Sequence, residues 1–145
     1  MNQDAVDMTH PRVAPPDPVP PSREQTGRDV MSILGIDADA LVEQFSGLDP
    51  RFPHSVIEFV FGEFVARPEL DLRTRQLATV AVLSALGGCE PQLETHIAAT
   101  LRAGATPVEI VALIGHVLPY AGTPRVVNAM NVARRVLGDV AGPTA

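Results

Sequence analysis

The stretch GGCEPQLETHI, Gly87 to Ile97, sets a cysteine, a glutamine and a histidine close together. Pro91 suits the first turn of a helix, where its missing N–H costs nothing. Gln92 and His96 are then four apart and share a face. Cys89 falls just before the helix start, near the positive end of its dipole, a place that lowers a thiol pKa. Two readings stand side by side. Cys89 is either a reactive thiol or a small apolar residue in a Gly-Gly-Cys turn. His96 borders the apolar stripe Leu93, Ile97 and Leu101, and is either a proton-transfer group or a structural hydrogen-bond partner.

A second cluster is GHVLPYAGTP. His116 and Tyr120 are also four apart, with Pro119 between them to kink or end the helix and free a carbonyl. A histidine, a tyrosine and a Gly-Thr-Pro turn with free amide donors suit an anionic or enolate-like group. The alternative is a tyrosine hydroxyl that satisfies a buried histidine. A third group is Glu63, Arg67, Arg73 and Arg75. Glu63 and Arg67 have the spacing and order of a surface ion pair. Arg75, just before an apolar helix, could anchor a carboxylate. No HxxxH or HExxH spacing exists, and ligands such as His96, His116 and Glu63 would come from separate helices, so no metal is expected.

The elements that must position these residues read as helices. One ends at Gly35. The next carries Leu41, Val42 and Phe45 on one face. A third carries Val56, Ile57, Val60, Phe61 and Phe64 at helical spacing and ends by Pro68. The fourth opens on an Asp71 cap and stops at Gly87-Gly88. The fifth opens with Pro91 and stops at Gly104. The sixth has Thr106 as cap, Pro107 opening and Glu109 completing a capping box. Thr123 and Pro124 repeat that pattern for the last. No stretch alternates like a strand, so the fold class is all-α, one domain over 23–140. Residues 1–22, which include HPRVAPPDPVPP, read as a proline-rich disordered tail.

Leu77 to Leu86 and Glu109 to Leu118 are apolar nearly all round. Such helices need cover on every side, which a domain of this size rarely supplies. A homo-oligomer is therefore expected.

Composition narrows the chemistry. The 145 residues carry a net charge of −6 with no basic cluster, and only 4% are aromatic. Neither nucleic acid nor an anionic membrane surface is an expected partner. All 11 basic residues are arginine. The lack of lysine excludes a Schiff base, a pyridoxal-phosphate anchor and a P-loop lysine. One cysteine cannot form an intrachain disulfide or a four-thiolate zinc site. No secretory signal or membrane-length apolar run is visible, so the expected compartment is the cytoplasm.

FGEFVARPELDLRTRQLATVAVLSALGG, QLETHIAATLRAGATPVEI and HVLPYAGTPRVVNAM, in that order, resemble the carboxymuconolactone decarboxylase family from about Val30 to Leu137. The resemblance implies an all-α fold around a helical hairpin, assembled as a trimer or hexamer. It also implies one of two activities. One branch decarboxylates γ-carboxymuconolactone without a cofactor in protocatechuate breakdown. The other, similar to alkylhydroperoxidase D, reduces peroxides through a Cys-x-x-Cys pair and a following histidine. On the redox pattern Cys89 and His96 match, but Gln92 stands where the second cysteine would be. On the decarboxylase pattern His96, His116, Tyr120, Gly122 and Pro124 match. Gln92 replaces a common glutamate there, and Phe61 a usual tryptophan.

The implied function is a cofactor-independent lyase for a small unsaturated, lactone or β-oxo carboxylic acid. Candidates are 4-carboxymuconolactone or a natural-product pathway intermediate. His96 would return a proton to carbon, and His116 and Tyr120 would hold the enolate oxygen. Arg75 would bind a carboxylate and Gln92 would orient substrate or His96, with Glu63 and Cys89 completing the substrate-binding set. A single-cysteine thiol peroxidase and a non-catalytic oligomeric ligand-binding protein are the competing readings.

Overall fold

A computed structural model describes residues 20–138; the expected tail lies, for residues 1–19, outside the described residues. Every regular element among the described residues is helical, so the chain is all-α as its periodicity implies. Helix α1 spans Arg23–Leu34. The Ser22 side chain accepts from the Gln25 amide, and Gly35, at φ 69°, ends the helix in the left-handed region that glycine enters without strain. Helix α2 (Ala38–Phe45) starts at once, with Asp37 accepting from the Asp39 and Ala40 amides.

Helix α3 (Phe52–Ser55) runs on into a π-helix (Val56–Val65). Its wider winding is seen in the Ala66 amide, which reaches back five residues to the Phe61 carbonyl at 3.0 Å. This corrects the α-helical spacing expected here. Ile57 and Phe61 are buried, whereas Val60 and Phe64 stay exposed. An added residue per turn rotates successive side chains off the stripe that an α-helix would form.

Helices α4 (Leu72–Leu86), α5 (Glu90–Arg102) and α6 (Pro107–His116) follow the cap signals closely. Asp71 caps α4, and its carboxyl is held below the usual range by the Thr74 amide. The Thr106–Glu109 capping box forms as expected. The Thr106 amide and the Arg73 guanidinium, in that order, lower the Glu109 carboxyl to about 2. Pro119 ends one helix and sits in a short new one, α7 (Leu118–Ala121). Helix α8 (Thr123–Leu137) departs from expectation at its start. Gly122, at φ 83°, turns the chain so early that Thr123 is already helical and caps nothing.

Two cores result. Val80, Leu93, Ile97, Ile110, Ile114 and Val132 centre the larger one, among α4, α5, α6 and α8. Met31, Leu34, Ile57 and Phe61 centre the smaller one, between α1 and the π-helix, with Ala99 of α5. Helix α5 therefore has one face in each core, and His96 lies between them. Helix α1 and the π-helix approach backbone to backbone. A Cβ on Gly27 would lie 2.3 Å from the Ile57 carbonyl oxygen, and one on Gly62 would lie 2.1 Å from that of Arg23.

Within one chain the two apolar helices are not covered on every side. On α4, Val82 is 56% and Leu86 63% exposed. Val108 at the start of α6 and Leu118 just after its end are exposed as well. Among the described residues, no helix is long and apolar enough to cross a membrane.

Candidate active site

His96 comes to the surface of a pocket of about 510 Å³. That volume is in the range of small-molecule sites. The end of α1, the α1–α2 turn and α2 form one wall, through Met31, Ile36, Leu41 and Phe45. Val56 and Phe61 of the π-helix form the second, and Pro91, Gln92, Thr95 and His96 of α5 the third. The shared face expected for Gln92 and His96 is thus real, and it opens on the largely apolar interior of this pocket.

The imidazole is held from behind. Its Nδ1 lies 2.8 Å from Oε1 of Gln76 on α4. An amide oxygen can only accept, so Oε1 at this position suits a proton on Nδ1. Nε2 has no protein partner, and every buried side-chain nitrogen or oxygen among the described residues has one, so Nε2 is accessible to solvent, on a residue that lines this pocket. Burial lowers the His96 pKa below its ordinary value of 6.5, because the charged form loses solvation. Asp37 is the one charged residue on the pocket wall, and its Oδ1 accepts from the Asp39 and Ala40 amides.

Gln76 is 1% exposed and was not singled out from the sequence. Its signal was present: Gln76, Val80 and Ser84 are successive fours on the buried stripe of α4. A long amide on such a stripe requires a partner.

The other candidate residues are not brought to this pocket in the single chain. Cys89 is the N-terminal cap residue of α5, and its thiol donates to the Leu83 carbonyl at 3.4 Å. It lines a cavity of only about 10 Å³ with Leu93 and Arg125, on another side of the helix from Gln92 and His96. Glu63 pairs with Arg67 at 2.7 Å and Arg23 at 3.0 Å, which hold its carboxyl below the usual range. Arg75 spends its guanidinium on the Leu70 carbonyl at 3.0 Å and the Arg67 carbonyl at 2.8 Å, tying down the turn before α4. These contacts place both residues in structure rather than in the pocket. His116 and Tyr120 do lie side by side, with ring centroids 5.5 Å apart, but on the surface, where Tyr120 is 78% exposed.

The model of the carboxymuconolactone decarboxylase family matches residues 50–135. A 4-carboxymuconolactone decarboxylase of Acinetobacter baylyi is 37% identical over 99 residues, 68% of this chain and 73% of that protein. An uncharacterized 15.0 kDa protein of Paracoccus denitrificans is 33% identical over 63% of this chain and 69% of its own length. A nitrosuccinic acid decarboxylase of Metarhizium robertsii is 30% identical over 59% of each chain. Two of these three relatives carry the name of a decarboxylase. The family match takes in more than half of the chain, including α4, α5 and two of the three walls of the His96 pocket, and the chain belongs to the carboxymuconolactone decarboxylase family.

Proposed function

We propose that the protein is a cofactor-independent decarboxylase of a small unsaturated or lactone carboxylic acid, with 4-carboxymuconolactone or a related natural-product intermediate as substrate. The observation that carries this reading is His96: tethered at Nδ1 and accessible at Nε2, on the wall of a pocket whose one other charged lining residue, Asp37, caps α2 through Oδ1. Two of the relatives named above support the reaction class.

The chemistry follows from the pocket. A substrate carboxylate beside Nε2 supplies the opposite charge that favours imidazolium, so binding draws a proton onto His96. The C–C bond to the carboxylate then breaks, carbon dioxide leaves, and its bonding pair stays as a dienolate. The Nε2 proton is returned to carbon, which restores neutral His96. The balance is one carboxylate and one proton consumed, one carbon dioxide and one protonated product released. Gln92, exposed at the pocket mouth, offers amide donors to the enolate oxygen. Within one chain it takes the role first expected of His116 and Tyr120.

The pH dependence has a definite sign. The free enzyme must gain a proton, and the free His96 pKa lies below 6.5. kcat/KM should therefore fall by about tenfold per pH unit above that pKa. A profile that instead rises from pH 5.5 to 7.5 would make His96 a base in the free enzyme and overturn the donor role.

The thiol peroxidase reading has little geometry behind it, since Cys89 and His96 open on different cavities. Cys89→Ser should leave carbon dioxide release essentially unchanged. Its loss in that variant would bring the thiol back to the centre. The function is tested by incubating the protein with 4-carboxymuconolactone, nitrosuccinate and, separately, a hydroperoxide with a dithiol. Consumption of a carboxylic acid with release of carbon dioxide supports the proposal, and consumption of the peroxide alone refutes it.

The assembly is proposed as a homo-oligomer on the strength of the uncovered apolar side chains of α4 and the ends of α6, with trimer or hexamer being what the family resemblance implies.

A further inference from the structure

We propose that Gln76 is a positioning residue that holds neutral His96 as its Nδ1–H tautomer and so presents the Nε2 lone pair to the pocket. Its importance for turnover rests on the decarboxylase reading; the tautomer itself does not.

A free neutral histidine prefers its proton on Nε2. Here that preference is opposed by one buried acceptor. Gln76 Oε1 stands 2.8 Å from Nδ1. Its side chain is fixed, for it is 1% exposed and lies on the stripe that α4 packs inward with Val80 and Ser84. The Nε2–H tautomer would set a bare Nδ1 lone pair against the amide oxygen and forfeit the hydrogen bond. Rotating the ring would carry Nε2 out of the pocket. The hydrogen bond therefore selects both the tautomer and the ring orientation.

Charge elsewhere does not make this choice. On α4, Arg73 is paired with Glu109 and Arg75 with backbone carbonyls. On α8, Arg135 is paired with Glu94 of α5, and Arg125 packs against Gly87. On α1, Arg28 is paired with Glu24 and Asp39, and Arg23 with Glu63 of the π-helix. On α6, Glu109 is committed to Thr106 and Arg73. Asp37, facing the pocket from the α1–α2 turn, is bonded to two amides. A neutral amide behind the ring has a further consequence. It orients the imidazole without the added basicity that a carboxylate would give, so His96 stays neutral until a substrate anion arrives.

The test uses the full chain labelled with 15N-histidine. Long-range proton–nitrogen spectra are recorded above the His96 pKa, with the signal assigned by its loss in His96→Gln. The wild-type protein should show a protonated Nδ1 and a bare Nε2. In Gln76→Leu the proton should move mainly to Nε2, and kcat should fall roughly 10- to 100-fold, the scale for loss of an orienting partner. In Gln76→Glu the His96 titration should move to higher pH, and the kcat/KM profile should follow it. A wild-type Nε2–H tautomer overturns the inference with no variant needed, and so does an unmoved His96 titration in folded Gln76→Glu. Nδ1–H wild-type protein that releases no carbon dioxide from any acid would leave this inference standing and refute the decarboxylase reading alone.

Discussion

Replacing His96 with alanine should lower kcat by about 10²- to 10⁴-fold, the range that a positioned proton donor contributes. The loss follows from the site's composition. Asp37 is the only other titratable side chain on the pocket wall, and it is engaged as the cap of α2, its Oδ1 accepting from two amides. KM should change less than kcat if the proton is needed chiefly at the carbanionic stage. The variant should fold. The removed ring lies at the pocket edge, and water can reach the Gln76 oxygen that it leaves behind. Steady-state kinetics beside a circular-dichroism melt would separate the two effects. Turnover within experimental error of wild type in a folded His96→Ala protein would remove His96 from the chemistry.

Substituting Gly27 by alanine should be the most damaging small change to the fold. A methyl group there would sit 2.3 Å from the Ile57 carbonyl oxygen, and that atom belongs to a neighbouring helix backbone rather than to a side chain that can turn away. Alanine in a helix is worth about 1 kcal/mol over glycine. Forcing a methyl into a packed crossing costs about 1–3 kcal/mol, and a backbone obstacle belongs at the upper end. The net loss of about 2 kcal/mol corresponds to a Tm drop of roughly 6–10 °C in a domain of this size. The effect should reach the site as well. Met31 and Gly35, in or just after α1, and Val56 and Phe61 of the π-helix face the same pocket. A widened crossing moves two of its three walls, and kcat/KM should fall with stability. A Tm equal to or above wild type would mean that the two helices are not in backbone contact.

Much of this architecture was legible in the chain. The caps at Asp71 and Thr106 and the stop at Gly35 each follow from a local hydrogen bond or a positive φ, which neighbouring residues specify. Local rules fail where the backbone departs from α-helical winding. Nothing in VIEFVFGEFV announces a π-helix, and the α-helical period put Val60 and Phe64 on the wrong face. At Thr123 the rule failed for a different reason, because the Gly122 turn set the helix start first.

The site was half legible. Gln92 and His96 share a face through spacing alone, so their joint exposure to the pocket could be foreseen. Gln76 could not be matched to His96 in this way, for the two are 20 residues apart and meet only through the packing of α4 on α5. Arg75 and Glu63 look like binding residues in sequence, because arginine and glutamate serve backbone turns and surface pairs with the same groups they offer a substrate. Cys89 shows the same ambiguity. Its place at the start of α5 is right for a reactive thiol, yet its side chain leans back on the Leu83 carbonyl, away from the histidine.

The central claim is that carbon dioxide leaves a small carboxylic acid bound against His96. The direct measurement is carbon dioxide release from 4-carboxymuconolactone and from nitrosuccinate, by the wild-type protein and by folded His96→Ala, at one pH below 6.5. Release from at least one acid by the wild type, and its collapse in the variant, is the predicted result. Release from neither acid by the wild type, or undiminished release by the variant, would contradict the account.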